Sequence, residues 1–183
     1  MTWPTRRRDL VAFYVAAFFL IFLVYRLSPV SQIYDSRYSV LLSQNLVRRH
    51  TFDLTSALPA DLRGPAATLP YQFHREEGHI YYTYPPGTPL LTTPLVALGP
   101  SVTDGAGNYL PKVEKHIQST LAALLAAGAV GLLLVIGRRF LALPQAVAVA
   151  ALLAFGTPLW STASRALWSQ TTEVLLLAAA LLL

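Results

Sequence analysis

Asp35 is the residue in this sequence best placed for acid–base chemistry. It follows an apolar run long enough to enter a bilayer, and it leads the stretch 34–50, which holds Tyr34, Asp35, Arg37, Tyr38 and, further on, Arg48, Arg49 and His50. A carboxylate at the mouth of a membrane helix can take a proton from a hydroxyl brought to the membrane surface, which requires only hydrogen-bond reach. Asp followed by helix-forming sequence is also the ordinary signature of a helix N-cap, and the two roles are compatible. Acids in or beside membrane segments are costly and are functional candidates for that reason. Glu173, at the mouth of the last apolar run, is the second such acid; its alternative role is a helix N-terminal charge favoured by the helix dipole. Asp53 reads as a turn acid.

Around these acids lie groups that could assist them. Arg37 is two residues beyond Asp35 and could neutralise it or grip a phosphate bidentately. Tyr34, Tyr38, Tyr71, Tyr81, Tyr82 and Tyr84 could stack on sugar rings or line a lipid groove, although interfacial tyrosines are also ordinary membrane anchors. His50, His74, His79 and His116 lack the tight spacing of a metal site. No P-loop, dinucleotide glycine motif, Ser-His-Asp order or HExxH occurs. Without cysteine, disulfides and thiolate metal sites are excluded.

The elements that must position these residues are those of a membrane protein. Of 183 residues, 54% are hydrophobic and 13% charged, with a mean hydropathy of +0.48; soluble domains usually carry about a quarter charged residues. The net charge of +5 comes mostly from basic residues beside apolar runs, where membrane orientation explains them better than nucleic-acid binding does.

Residues 1–9 form a head with Arg6, Arg7 and Arg8, expected in the cytoplasm. Residues 10–28 are almost wholly apolar and match the ~17–25 residues that cross a bilayer. The run is long and aromatic and no small-x-small site follows it, so it reads as an anchor and not a cleaved signal. An outer loop, 29–115, follows. It holds an amphipathic helix over 35–49 with Tyr38, Leu41, Leu42 and Leu46 on one stripe, and a β-hairpin over 71–82 turning at Glu77-Gly78. A short interfacial helix over 88–98 has proline in its first turn. Residues 116–137 form a second span closed by Arg138-Arg139, and 141–160 a third. A second outer loop, 161–171, carries Arg165, and 172–183 begins a fourth helix that reads as cut short. The fold class is an all-α polytopic membrane protein in the inner or plasma membrane.

Three stretches resemble one family. They are Asp35-Ser36-Arg37-Tyr38 after the first membrane helix, Tyr81-Tyr82-Thr83-Tyr84-Pro85-Pro86-Gly87-Thr88-Pro89-Leu90-Leu91 before the interfacial helix, and Ser164-Arg165-Ala166-Leu167-Trp168-Ser169-Gln170 entering the fourth. Together they resemble the N-terminal part of GT-C integral-membrane glycosyltransferases, the protein O-mannosyltransferase and aminoarabinose transferase group. The resemblance implies inverting transfer of a sugar from a polyprenyl-phosphate donor to an unspecified acceptor at the outer face. Asp35 would be the base that activates the acceptor, Arg37 and Arg165 would steady the phosphate leaving group, and Tyr38, Tyr84 and Glu173 would contact substrate. The sequence departs from the family pattern at Tyr84, where relatives often carry lysine, and in 161–170, which contains no acid. No cofactor is assigned, and a divalent metal ion stays open. The alternative function is a non-catalytic transporter or flippase subunit that binds lipid-linked sugar. Three spans and part of a fourth cannot enclose the groove such an enzyme needs, so residues 1–183 alone are expected to be inactive.

Overall fold

A computed structural model describes residues 7–30 and 34–183, so the head residues 1–6, Arg6 among them, lie outside the described residues. The described chain is mostly helical. The helices are α1 (Arg7–Leu27), α2 (Ser39–Arg49), α3 (Ala60–Arg63), α4 (Gly87–Val96), α5 (Pro111–Gly137), α6 (Leu143–Gly156) and α7 (Ser169–Leu182), and β1 (Phe73–Glu76) and β2 (His79–Tyr82) form a hairpin between α3 and α4.

α1 and α5 are long and apolar enough to cross a membrane. α1 has 21 residues and so spans about 32 Å at 1.5 Å per residue, close to the ~30 Å hydrocarbon core. α5 is the central helix, packed by α1, α6 and α7. It presents Ala122, Ala123, Ala126, Ala127 and Ala129, all fully buried. Small residues let neighbouring backbones approach closely, and a Cβ added at Gly128 would lie 3.5 Å from Leu175.

Two apolar cores share α5. One joins its alanine face to Ile21 and Tyr25 of α1, Ala146, Ala150 and Ala154 of α6, and Leu159. The other surrounds its N-terminal half with Tyr38, with Leu41 and Leu42 of α2, and with Leu54, Leu58, Phe73, Ile80, Val96 and Val102. The stripe residues Tyr38, Leu41 and Leu42 lie in this core with Leu46 packed at its edge, but burial runs all round the start of α2, from Ser39 to Asn45. The segment before α4 thus builds no core of its own and borrows that of α5.

Several element boundaries differ from the sequence reading. α2 begins at Ser39 and not at 35, because Tyr38 takes a left-handed conformation at φ 71°. α5 begins at Pro111, five residues before 116, with proline in the first turn where its missing N–H costs nothing. The expected third span, 141–160, is a helix of 14 residues, about 21 Å long and short of a full crossing by itself. Pro158 ends it, and a π-helical turn, Leu159–Ala163, continues the chain.

The hairpin turns where expected. Glu77 and Gly78 both have positive φ, 49° and 84°, as a two-residue type I′ turn requires. Asp53 pins this hairpin: its Oδ1 accepts from the Thr55 N–H at 2.9 Å, closing an Asx turn, and its Oδ2 meets His79 Nδ1 at 2.8 Å. Partial burial pushes the Asp53 carboxyl up, but hydrogen bonds from Thr55 and His79 outweigh it and hold it at about 2. A carboxyl depressed in the fold contributes stability above its unfolded value, near 4, and loses it as the pH falls to about 2. Acid titration of thermal stability is therefore expected to show a loss over that window that Asp53→Asn removes; an unchanged acid profile in the variant would contradict it.

Candidate functional site

Asp35 sits in the turn 34–38, which is clamped from three sides. Tyr82 donates its hydroxyl to the Asp35 carbonyl at 2.8 Å, Gln72 Nε2 donates to the Tyr34 carbonyl at 3.0 Å, and Gln118 Nε2 donates to the Ser36 carbonyl at 2.8 Å. These partners come from β2, the approach to β1, and α5. The left-handed Tyr38 is the strained link, since a bulky non-glycine residue rarely holds positive φ. Its ring lies 4.6 Å from both the Phe73 and Tyr109 rings, and that packing holds the strain in place.

The Asp35 side chain is half-buried at the wall of an open cleft of about 130 Å³, lined also by Ser36, Ser39, Tyr82, Tyr84, Thr88 and Trp168. The Tyr71 hydroxyl donates to Asp35 Oδ1 at 2.9 Å. Among the described residues no arginine, lysine or histidine forms an ion pair with Asp35. The bond to Asp35, with some burial, raises the Tyr71 phenol above its ordinary value. Burial and then Asp35 raise Tyr84. Burial, followed by the charges of Glu114, Tyr84 and Asp35, raises Tyr82 strongly. All three phenols therefore remain protonated at neutral pH; Tyr71 and Tyr84 bond the Asp35 carboxylate, and Tyr82 bonds its backbone carbonyl.

Two helix starts open into the same cleft. Thr88 and Pro89 of α4 and Ser169 and Gln170 of α7 line it, and neither helix has a side-chain N-cap. Uncapped first-turn N–H groups, of which Pro89 supplies none, and the positive dipole end favour an anion at such a place. The Thr88 and Thr172 hydroxyls, 2.7 Å apart, hold the two helices together. Three further lining residues have buried polar atoms without a hydrogen-bonding partner among the described residues: Ser36 Oγ, Ser39 Oγ and Trp168 Nε1. Buried polar groups are normally paired, and these three unpaired atoms are gathered in the lining of this one cleft. No family model, no curated protein and no solved structure matches this chain.

The other residues singled out from the sequence divide around this cleft. Tyr84 lines it with Asp35. Tyr38 is buried in the core and positions the turn. Asp35 is not the N-cap of α2; that position is Tyr38, which makes no capping bond through its side chain. Arg37 is exposed and turned onto aromatics, its guanidinium 5.0 Å from the Tyr38 ring centre and 5.4 Å from that of Tyr109. Arg165 is buried and lines a separate cavity with Arg26 and Lys115. Glu173 is exposed and is the fifth residue of α7, beyond the first turn where the dipole would favour it.

Glu114 went unnoticed as a positioning residue because it reads as part of a polar loop. It is fully buried. Oε1 accepts from the Val40 N–H at 3.1 Å and from Gln118 Nε2 at 3.0 Å, and Oε2 accepts from the Tyr109 hydroxyl. It thereby caps α2 from another helix. Pro111 as a helix-opening residue, with Glu114 and Gln118 four apart, was the available signal.

Proposed function

We propose that this chain belongs to a polytopic membrane glycosyltransferase of GT-C type that moves a sugar from a polyprenyl-phosphate donor to an acceptor at the extracytoplasmic face. The observation that carries the reading is the cleft itself: a carboxylate that forms no ion pair among the described residues, bonded by Tyr71 and Tyr84, in a lining that also holds two uncapped helix starts and three polar atoms unpartnered among the described residues. The basic residues at the N-terminal end of α1 and at Arg138-Arg139 orient the bundle so that this end faces outward.

In the reaction, the acceptor hydroxyl gives its proton to Asp35 as its oxygen bonds to the anomeric carbon. The bond from that carbon to the phosphate oxygen breaks on the opposite face, and its electron pair leaves with the polyprenyl phosphate. The helix starts of α4 and α7 replace Arg37 and Arg165 as the groups that steady the developing phosphate charge. The tyrosine hydroxyls orient the sugar and the carboxylate.

The test is to reconstitute the full-length protein in liposomes with polyprenyl-phosphate donors of several sugars and to follow release of free polyprenyl phosphate. Release with at least one donor, dependent on added acceptor, is the expected result. Failure to release or bind any of them would overturn the reading.

A further inference from the structure

A second cavity, of about 100 Å³, lies at the same end of the bundle and is lined by Tyr25, Arg26, Ser28, Lys115, Ser119 and Arg165, with Pro29, Val30 and Ser164. We propose that this cavity is a phosphate-binding site, separate from the Asp35 cleft, in which Arg26, Lys115 and Arg165 receive a phosphate ester. The proposal does not depend on sugar transfer.

Three cations line this cavity and, among the described residues, no acid does. Among the described residues the ion pairs within 4.0 Å are those of histidines with Asp53 and Glu76, so none of the three is neutralised by a carboxylate. Bringing like charges together without a counter-ion is unfavourable unless an anion joins them. Arg165 carries the argument furthest. It is only 2% exposed. Its Nε donates to the Trp160 carbonyl at 2.8 Å and its Nη1 to the Tyr25 carbonyl at 2.7 Å. The guanidinium lies 4.3 Å from the Trp160 ring centre.

Those contacts fasten the end of α1 to the π-helical turn and would suffice for a purely structural arginine. They leave Nη2, which is buried and has no hydrogen-bonding partner among the described residues. A buried guanidinium with one donor unspent, in the lining of a cavity with two more cations, is suited to a tetrahedral oxyanion. Arg26 is held ready by Thr120 Oγ1 at 3.1 Å and His116 Nδ1 at 2.9 Å. Lys115 is exposed at the rim. Ser28 and Ser119 add hydroxyls. The volume has room for several water-sized groups.

The phosphate could belong to a phospholipid headgroup or to a free phosphate. Val15, Phe19, Leu23 and Leu27 form an exposed apolar stripe on α1 that ends at the residues lining the cavity, a path suited to acyl chains.

The experiment is thermal unfolding of the full chain in neutral detergent with dihexanoyl phosphatidic acid or with inorganic phosphate. A rise of about 5–10 °C at a hundredfold excess over Kd is expected. A shift with the lipid alone assigns the site to a headgroup, and a shift with both assigns it to phosphate itself. Lys115→Glu, at an exposed position, is expected to keep the ligand-free Tm and lose the shift, whereas Lys115→Arg retains it. No shift with either probe, or an equal shift in Lys115→Glu, would overturn the proposal.

Discussion

Asp35→Asn is expected to lower sugar transfer by about 10²–10⁴-fold while leaving the fold and donor binding in place. The amide is nearly isosteric, and its oxygen still accepts from the Tyr71 hydroxyl that now lies 2.9 Å from Oδ1. The turn holding it is fixed through backbone carbonyls by Tyr82, Gln72 and Gln118, none of which the substitution touches. What disappears is basicity. A loss confined to the rate of transfer, with donor binding at parental affinity, therefore identifies a proton acceptor. Transfer at the parental rate would remove Asp35 from the chemistry. Loss of donor binding along with transfer would make it a binding residue and favour the non-catalytic alternative.

The parts of this arrangement that were legible in the sequence are those set by local pattern. The apolar run of α1, the Glu77-Gly78 turn and the Tyr38, Leu41, Leu42 stripe each follow from neighbours within four residues. Asp35 itself stood out because an acid next to a membrane helix is rare. The cleft was not legible, because its members come together across the chain: Asp35 and Tyr71 are 36 residues apart, and Thr88 and Thr172 are 84 apart. The same limit explains the arginines. Arg37 is two residues from Asp35, yet in the left-handed turn its guanidinium lies over Tyr38 and Tyr109. Arg165 is five residues from Gln170, but the Trp160 and Tyr25 carbonyls hold it in the lining of the separate cavity. Proximity in sequence thus places neither arginine in the cleft, which Asp35 shares with the starts of α4 and α7.

Glu114→Ala is expected to cause the largest loss of stability of any single change near the site. The carboxylate is fully buried and accepts from the Val40 N–H, Gln118 Nε2 and the Tyr109 hydroxyl. Alanine leaves three donors facing a small void, and each buried donor without a partner costs about 1–3 kcal/mol. Relaxation and water entry recover part of this, so the net cost is roughly 3–5 kcal/mol. In a chain of this size that corresponds to a Tm lower by on the order of 10 °C in detergent. Glu114→Gln keeps the shape and one acceptor oxygen, and the Tyr109 hydroxyl can rotate to accept from the new amide, so most of the stability should return. The effect should also reach the chemistry. Val40 lies in the first turn of α2, two residues after the strained Tyr38, and Gln118 holds both Glu114 and the Ser36 carbonyl. Freeing this corner releases the turn that aims Asp35. Glu114→Ala protein that survives purification should thus transfer sugar more slowly, whereas Glu114→Gln should approach the parental rate. An alanine variant melting within a degree of the parent would show that α2 and its turn are held without this carboxylate, by the packing of Tyr38 against Phe73 and Tyr109 and the clamps from Tyr82, Gln72 and Gln118.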